Sequence, residues 1–556
     1  LFLRGLALLK GRIAPEVEWR LHAGRADVFQ SSERVDAAIE ELRLAIEAAE
    51  RVGYGLPLEE GSRVRAGHSD LYIQLAEKLV RDGQRETAFE LAERARAQRT
   101  IAVLNGGRVG VPQGASADLL DREQDLRIRL NNLSLELGGS DRSLVRRREP
   151  TGISAPGRRD LRIALDQAQQ EYARLLAQMR ISAPEYSFWV NPELSSLEDV
   201  SALLGRDQAL LEYLLGPEAT LVFVVTADTV AVLPLEVSGT SLQDMVGFAR
   251  GVVKGGPHGS ADFVWRSSLQ NLHEALLTPV ETSGLLSGKN TLVIIPHGDL
   301  HYLPFQALIN PVDNTFLVER YAVSYAPSAS TWAHLTSRSV SSSTSPSGRP
   351  RSGGLRVLAL APRVGELPGS EIEADVIEDL FGDRAQVLRG NDASERAFKS
   401  LAPRADIVHL ATYGRLNKAN PLFSYVELAK TSEDPGFFEV HEIYGMSLHS
   451  RLLTLSACET AVSSDSLWDI PPGDDWTGFA QAFLGAGVAN VMASLWPVED
   501  LATTGLMENF YGHMARGESL PDALAMAQRQ LLSDPNTAHP FFWAGFLLVG
   551  EGGETL

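Results

Sequence analysis

The sequence predicts an α/β protein whose mostly parallel sheet is flanked by helices and preceded by an all-helical region. From about residue 190 onward, apolar runs of strand length alternate with helical patterns, as in proteins built on a parallel sheet. Residues 1–185 carry helical periodicity instead. The run 291–296 is continuously apolar, which is typical of a strand buried on both faces.

Length and composition narrow the class of protein. The 556 residues are too many for one core, so two to four domains are expected. The net charge of −20 argues against nucleic acid or an anionic membrane as the main partner. The single cysteine excludes an intramolecular disulfide framework and any multi-cysteine zinc site. We predict no cofactor and no metal site.

Targeting signals are not evident in the sequence. It contains no run of 18 apolar residues, so no transmembrane helix is predicted. The start LFLRGLALLKGR is interrupted by arginine and has no cleavage-like end, so it is not interpreted as a signal peptide. We therefore expect a cytoplasmic protein. Because the chain does not begin with Met, we also expect it to be a piece of a longer one.

The helical region shows an irregular repeat. The apolar and small positions of one predicted hairpin are Leu71, Leu75, Ala76, Leu79, Ala88, Ala92 and Ala95, with Gly83 at the turn. A weaker copy precedes this hairpin and comprises Ala26, Phe29, Ala38, Leu42 and Ala45. The distance between the two copies is longer than the period of a regular repeat. Small residues at these offsets allow helices to approach closely, as in a tetratricopeptide (TPR) hairpin, whose usual period is about 34 residues. A plain helical bundle is the alternative. TPR-like helices would offer a groove to a protein partner.

Three polar segments are interpreted as connectors. Residues 105–118 are glycine-rich, and residues 141–157 are rich in arginine, proline and glycine. The second is interpreted as an exposed linker, with a basic docking patch as the alternative. Residues 336–354 are rich in serine and are expected to be mobile, because they cannot bury a core.

The region after residue 190 is predicted to begin with a meander of three short strands. Two helices, over 241–254 and 261–280, precede the strand 291–296. Later strands are predicted over 355–361, 386–388, 407–411, 452–456 and 490–495, with helices over 370–381, 394–401 and 476–484. The alternation places helices on both faces of the sheet.

The candidate site lies within residues 405–460. Asp406 begins the stretch DIVHLATYG, and Leu452 begins the stretch LLTLSACET. Each is a strand-length apolar run that ends in small residues, and neighbouring parallel strand ends form a crevice where ligands usually bind. Cys458 lies at the second of these ends. A nucleophilic cysteine needs a nearby base, normally a histidine that is close in space.

The motifs HLATYG and LSACET, together with LVIIPHGDLHYLPFQAL upstream and HPFFWAGFLLVG downstream, resemble the CHAT family of caspase-like cysteine peptidases. The resemblance spans roughly residues 190–550. It implies a two-part caspase-like unit with a non-catalytic half over 190–350 and a half over 355–556 that bears the catalytic dyad. TPR-like helices, here residues 1–185, are usual companions of such domains.

The resemblance also implies roles for individual residues. Cys458 is the nucleophile, and the backbone N–H groups of Gly414 and Cys458 form an oxyanion hole. Tyr413 occupies the position of the family's catalytic histidine. A phenol with a pKa near ~10 is a poor proton acceptor at neutral pH.

Three outcomes for the missing base stay open. His409 is two residues before Tyr413 on the same strand face, and it is one candidate for a substitute base. His301 and His297, in the loop after the strand 291–296, are the second candidate, with an imidazole supplied from the neighbouring strand end. Otherwise the site is inactive. For each histidine the alternative is an ordinary structural residue.

Two functions therefore remain. One is a CHAT-type cysteine endopeptidase homologue that acts on a protein substrate and is impaired by Tyr413. The other is a catalytically inactive pseudo-peptidase scaffold that binds a protein partner. The sequence makes no prediction of an oligomeric state.

Overall fold

The structure, a computed structural model, describes ten continuous segments and isolated residues between 119 and 175. The segments are 2–9, 15–53, 68–104, 194–257, 261–343, 354–415, 424–432, 434–457, 476–496 and 498–553. The chain forms two compact units, residues 1–194 and residues 195–556. The predicted connectors 105–118 and 141–157 lie outside the described residues.

The first unit is helical wherever its residues are described. Its helices are α1 (Phe2–Leu9), α2 (Pro15–Ser31), α3 (Val35–Gly53), α4 (Ser69–Arg81) and α5 (Arg85–Leu104). Helices α2 and α3 pack as one hairpin, and α4 and α5 pack as another. The small residues predicted to face inward, such as Ala38, Ala45, Ala88 and Ala95, are buried. These hairpins confirm the TPR-like prediction.

The two hairpins share one turn geometry. Glu33 and Gly83, at equivalent positions of the two turns, both adopt positive φ angles, of 57° and 78°. One residue further on, the N–H of Arg34 donates to the Phe29 carbonyl at 2.9 Å, and that of Gln84 donates to the Leu79 carbonyl at 2.8 Å. The turn matches the αL cap that ends many helices. The two copies predicted from the sequence are therefore a structural repeat.

The described residues of the second unit contain fourteen strands, of which eleven form one large sheet and three form a small one. In chain order, the strands are β1 (Gln208–Leu215), β2 (Thr220–Thr226), β3 (Val230–Leu235), β4 (Thr291–Ile295), β5 (Ala322–Tyr325), β6 (Val357–Ala361), β7 (Ala385–Arg389), β8 (Ile407–Thr412), β9 (Gly414–Arg415), β10 (Tyr425–Glu427), β11 (Phe437–Glu439), β12 (Leu452–Ala457), β13 (Asn490–Ser494) and β14 (Phe546–Gly550). The spatial order of the large sheet is β3-β2-β1-β4-β5-β14-β13-β12-β8-β6-β7, and β11-β10-β9 form a small second sheet.

Helices cover this sheet. They are α6 (Leu197–Leu203), α7 (Gly239–Lys254), α8 (Asp262–Leu276), α9 (Thr278–Thr282), α10 (Leu317–Arg320), α11 (Ala329–Ser343), α12 (Pro368–Phe381), α13 (Glu395–Leu401), α14 (Val440–Ile443), α15 (Trp476–Gly485), α16 (Asp500–Ala515) and α17 (Leu520–Ser533). The mostly parallel sheet, its helices and the preceding helical unit confirm the predicted fold class. Within the described part of the chain, no helix has both the length and the apolar composition of a membrane span.

The sheet consists of two parallel groups that run in opposite directions. Strands β1, β4, β5 and β14 are mutually parallel, and so are β13, β12, β8, β6 and β7. Strands β13 and β14 pair antiparallel, and β14 is therefore the seam between the two groups. Consequently, the carboxyl ends of β4 and β12 lie at opposite edges of the sheet.

The prediction of a mobile connector over residues 336–354 is wrong for the first residues of that segment. Residues 336–343, expected to be mobile, continue helix α11. The helix is started by Ser328, whose hydroxyl accepts from the N–H of Thr331 at 3.0 Å, and it is anchored by the buried Trp332 and Leu335. Propagating an existing helix is much less costly than starting one, so polar residues extend it. Residues 344–353 lie outside the described residues.

Candidate functional site

The strand order identifies a crevice at the carboxyl ends of β6 and β8. From β6 the chain moves outward to β7 and then returns to β8 on the other side of β6. In open α/β sheets, ligands bind at such a reversal of strand order, outside the carboxyl ends of the strands. Arg363 follows β6, and Tyr413 and Gly414 follow β8. The sequence-predicted stretch therefore lies at the topological switch point.

The register of β8 and β12 brings the two predicted strand ends together. The strands are parallel neighbours, with His409 opposite Thr454 and Thr412 opposite Ala457. Tyr413 comes directly after the last pair on the β8 side. Cys458, the predicted nucleophile, lies outside the described residues. The expected proximity of Cys458 and Tyr413 therefore stays a prediction.

Tyr413 is half-buried beside an ion-pair cluster. Its ring centre lies 5.9 Å from the Arg415 guanidinium, a cation–π distance. The Arg415 Nε lies 3.5 Å from the Glu427 carboxylate, which also accepts a 2.9 Å hydrogen bond from Arg363 Nη2. The position that the resemblance assigns to a catalytic histidine thus carries a phenol beside a guanidinium.

Gly414 is held in a short antiparallel pair between β9 and β10. The N–H of Glu427 donates to the Tyr413 carbonyl at 2.8 Å, and Gly414 is opposite Val426 in the next pair. Hydrogen-bonded and non-hydrogen-bonded pairs alternate along an antiparallel ladder. The Gly414 N–H is therefore directed away from β10. This direction suits the oxyanion role implied by the resemblance, which stays a prediction.

His409 is buried in the core instead of facing the crevice. It is 1% exposed, and its Nδ1 lies 2.9 Å from the Tyr511 hydroxyl. Its Nε2 lies 2.9 Å from Glu373 Oε2, although the two atoms lack the alignment of a good hydrogen bond. Both ring nitrogens thus face polar partners from α12 and α16. This geometry favours the structural interpretation of His409 over the substitute base.

His301 lies at the other edge of the sheet. It belongs to the turn after β4, which is separated from β12 by three strands and runs in the opposite direction. The expectation that this turn neighbours the ends of β8 and β12 is therefore wrong. His297, in the same turn, is buried and accepts from the N–H of Leu215 at 3.2 Å. Sequence alone does not reveal this placement, because the sheet reverses direction between β13 and β14, and β14 pairs with β5 although it is far from β5 in the sequence.

Sequence reasoning missed two residues beside the site, Glu373 and Tyr511. Glu373 is buried on α12 within the inward-facing stripe Ser370, Ala374, Ile377 and Phe381. A charged residue inside an apolar helical stripe is the signal that would have identified it. Tyr511 is buried on α16, and burial raises the pKa of its hydroxyl, which stays protonated at neutral pH.

The described residues contain no group of three or more His, Cys, Asp or Glu side chains arranged to hold a metal ion. Polar side chains around Tyr413 are paired with one another, as the Arg363, Arg415 and Glu427 cluster illustrates. The described residues at this edge offer backbone N–H groups and charged side chains.

The chain is similar to proteins that are already known. Mouse (Mus musculus) tetratricopeptide repeat protein 28 is 24% identical over 370 residues, covering 56% of this chain and 14% of that protein. The human (Homo sapiens) protein of the same name is 25% identical over 329 residues, covering 51% of this chain and 13% of its own. The chain thus spans only a small part of the length of these curated relatives.

Solved structures that the chain matches include the Saccharomyces cerevisiae separase–securin complex, at 11% identity and a TM-score of 0.43, covering 99% of this chain and 48% of that one. The Arg-specific cysteine proteinase gingipain R matches at 11% identity and a TM-score of 0.34, covering 57% of this chain and 76% of its own. Residues 266–551, slightly more than half of the chain, match the model of the CHAT domain. This chain belongs to the CHAT-domain family.

Proposed function

We propose that this chain is a cysteine-peptidase homologue of the CHAT type that acts on a protein substrate, with acyl transfer impaired by Tyr413. Cys458 is the nucleophile, and Gly414 contributes an oxyanion donor. The observation that carries the proposal is the parallel pairing of β8 with β12, whose last pair is Thr412 and Ala457.

This pairing restricts how far apart the two key positions are. Neighbouring strands are about 4.8 Å apart, and consecutive Cα atoms are about 3.8 Å apart. Because Tyr413 and Cys458 each follow one member of the pair directly, their Cα atoms are at most about 12 Å apart. This limit supports the proposal that a base at position 413 and a thiol at position 458 share one crevice, as a dyad requires.

The missing base explains the impairment. A cysteine with a pKa of about 8.5 is only a few per cent thiolate at neutral pH. Losing a positioned general base typically costs about 10²- to 10⁴-fold in rate. His409 is engaged with Glu373 and Tyr511, and His301 lies at the opposite edge of the sheet. Neither supplies the missing imidazole in this arrangement.

In this proposal, the TPR-like helices bind the protein substrate. Paired helices with small inward residues build surfaces that bind extended protein segments. We assign the protein substrate to this surface on the basis of the α2–α3 and α4–α5 hairpins. If the thiol proves inert even with a base restored, the same surface serves a pseudo-peptidase scaffold.

The test is the pH dependence of Cys458 alkylation by iodoacetamide. Cys458 is the only cysteine in the chain, so the labelled thiol needs no further assignment. The parent is expected to show a midpoint near ~8.5 or above, the value of a free thiol. Tyr413→His is expected to lower the midpoint by about one unit or more, because an imidazolium stabilises the thiolate.

Tyr425→His is the matched control. Tyr425 is on β10, opposite Arg415, so this variant adds a histidine to the neighbouring strand without replacing the family position. Its alkylation midpoint is expected to equal that of the parent. A parent midpoint well below neutral pH would show that another base already acts and that the chain is not impaired. No shift in Tyr413→His would favour the scaffold.

A further inference from the structure

A buried polar cluster lies under the carboxyl ends of β8 and β12. We define the buried cluster as Glu373, His409, Thr454, Ser456 and Tyr511, none of which is more than 4% exposed. Glu373 comes from α12 and Tyr511 from α16, and the other three are on the two strands. The cluster therefore joins two helices to the two strands that lead into the candidate site.

Hydrogen bonds join Thr454, Tyr511 and His409 in one group and Ser456 and Glu373 in another, and the close contact between His409 and Glu373, which lacks the alignment of a good hydrogen bond, links the two groups. The Tyr511 hydroxyl donates to Thr454 Oγ1 at 3.0 Å, so its oxygen is left to accept from His409 Nδ1 at 2.9 Å. The Ser456 hydroxyl donates to Glu373 Oε1 at 3.1 Å. Both strands are thereby fixed to the helical layer, β8 through His409 and β12 through Thr454 and Ser456.

The geometry also locates a proton. His409 Nδ1 is committed as a donor to Tyr511, and Nε2 lies 2.9 Å from Glu373 Oε2. An unprotonated ring nitrogen and a carboxylate oxygen both present lone pairs, and so close a buried contact is repulsive without a proton. The donation from Ser456 favours the carboxylate form of Glu373. A proton on His409 Nε2 turns this repulsive contact into an attractive one.

No other charged group faces His409 from the described elements packed against it. Helix α12 presents Glu373, and α16 presents Tyr511. Strand β12 presents the uncharged Thr454, and β6 has Ala359 at the same level. The imidazolium and the carboxylate thus neutralise each other inside the sheet–helix interface. A buried pair of this kind is costly to break, because removing one partner leaves the other unpaired.

We propose that Glu373, His409 and Tyr511 are positioning residues, which hold the ends of β8 and β12 in place through one retained proton. The strand ends lead into Tyr413, Gly414 and Cys458, where a displacement of about 1 Å is enough to cost on the order of 100-fold in rate. The effect on Cys458 rests on the proposed function, whereas the retained proton and the anchoring of the strands do not.

The experiment compares Glu373→Gln with Glu212→Gln in the full chain. Glu212 is a buried carboxylate on β1, in the other strand group, so the control makes the same chemical change away from the cluster. In ¹⁵N-histidine spectra at pH 7.5, the parent His409 is expected to carry protons on both ring nitrogens. The signal is identified by its loss in His409→Gln. Glu373→Gln is expected to leave His409 with one ring proton, and Glu212→Gln to leave it with two.

Two further readouts report positioning. Amide hydrogen exchange of β8 and β12 is expected to be at least tenfold faster in Glu373→Gln and unchanged in Glu212→Gln. In the Tyr413→His background, Glu373→Gln is expected to slow Cys458 alkylation at pH 7 at least tenfold and to raise its midpoint. Tyr511→Phe, which removes only the hydroxyl, takes the place of Glu373→Gln if that variant does not fold, and is read by the same amide exchange and alkylation.

The outcomes separate this inference from the proposed function. A parent His409 with a single ring proton would overturn the retained proton, and unchanged exchange of β8 and β12 in the folded variant would overturn the anchoring. Failure of Tyr413→His to activate the thiol would refute the proposed function alone. The spectra and the amide exchange would still decide the inference, because neither needs a reactive cysteine.

Discussion

Glu427 accepts a 2.9 Å hydrogen bond from Arg363, and this contact ties the end of β6 to β10 across the crevice at the topological switch point. The same carboxylate lies 3.5 Å from Arg415 Nε, so one negative charge serves two guanidinium groups. It is mostly buried, whereas the arginines are partly exposed. Both arginines are therefore linked through one mostly buried carboxylate.

Glu427→Gln is expected to lower the free energy of unfolding by about 1–2 kcal/mol, because it removes the mostly buried negative charge that both guanidinium groups contact. Urea denaturation of the parent and the variant measures this. Glu366→Gln is the control, since Glu366 pairs with the same Arg363 at 3.3 Å from an exposed position. Exposed pairs contribute little, so its effect is expected to be below about 0.5 kcal/mol. Equal effects of the two variants would contradict the special role of Glu427.

Gly83→Ala is expected to destabilise the α4–α5 hairpin by roughly 1 kcal/mol, because Gly83 has a φ of 78° that an alanine adopts only with strain. Hydrogen–deuterium exchange of the hairpin amides in the full chain measures the change. Glu33→Gly at the equivalent turn is expected to slow exchange in the α2–α3 hairpin, since a non-glycine residue there already bears that strain.

Gly247→Ala controls for the substitution itself. Gly247 is inside helix α7, and a Cβ added there meets no atom within 4 Å. Alanine is favoured over glycine inside a helix by up to about 1 kcal/mol, so local exchange is expected to slow. The same change thus has opposite signs at the two sites. Faster exchange at both would mean that the turn geometry is not the cause.

Asp500→Ala is expected to destabilise the packing of α12 by about 1 kcal/mol, because it removes a capping carboxylate. Asp500 begins α16, and its carboxylate accepts from the N–H of Gly369, in the first turn of α12, at 2.7 Å. A carboxylate at a helix N-terminus satisfies a backbone donor and complements the helix dipole. Asp379→Ala, away from that terminus, is the control. Urea denaturation with no difference between the two variants would refute the capping role.

Stability of the second unit is expected to fall as the pH falls from about 6.5 to 4. Burial lowers the pKa of His539 to about 4, and its Nδ1 accepts from the N–H of Phe541 at 3.1 Å. In that pH window the unfolded chain binds a proton that the native state does not, so acid favours unfolding. His539→Asn keeps an acceptor for Phe541 but does not titrate there.

The measurement is the urea midpoint at pH 7.5, 6 and 4.5. The drop between pH 7.5 and 4.5 is expected to be smaller in His539→Asn than in the parent. His449→Asn, at an exposed position, is expected to show the full drop of the parent. An unchanged drop in His539→Asn would indicate that this imidazole takes up its proton in the folded state as easily as in the unfolded state.

Strand positions were predictable where buried runs are continuous. The runs around His409 and Leu452 predicted β8 and β12 almost to their ends, because strands buried on both faces leave a predominantly apolar run with few charged residues. The repeat in the helical unit was also predictable from the sequence, because small residues recur at the positions where helices pack. Such features can be predicted because they depend on residues that are close together in the sequence.

Long-range pairing was not predictable in the same way. The direction of the β4 group depends on β14, which pairs with β5 and β13 although it is distant from β5 in sequence. Because this pairing could not be predicted, His301 was expected at the same edge of the sheet as the ends of β8 and β12. The buried cluster depends likewise on Glu373 and Tyr511, which meet His409 through helix packing and not through any sequence spacing.

The location of β14 sets the order in which the sheet is completed during synthesis. About 220 residues separate the end of β5 from the start of β14, and at about 5–20 residues per second a ribosome needs roughly 10–45 seconds to make them. Throughout that interval β5 has no partner on one side, and an unpaired strand edge is a template for pairing with other chains. The nascent chain therefore carries an unpaired β5 edge until β14 emerges, and synthesis that stops between β13 and β14 would leave the two strand groups of the sheet unjoined.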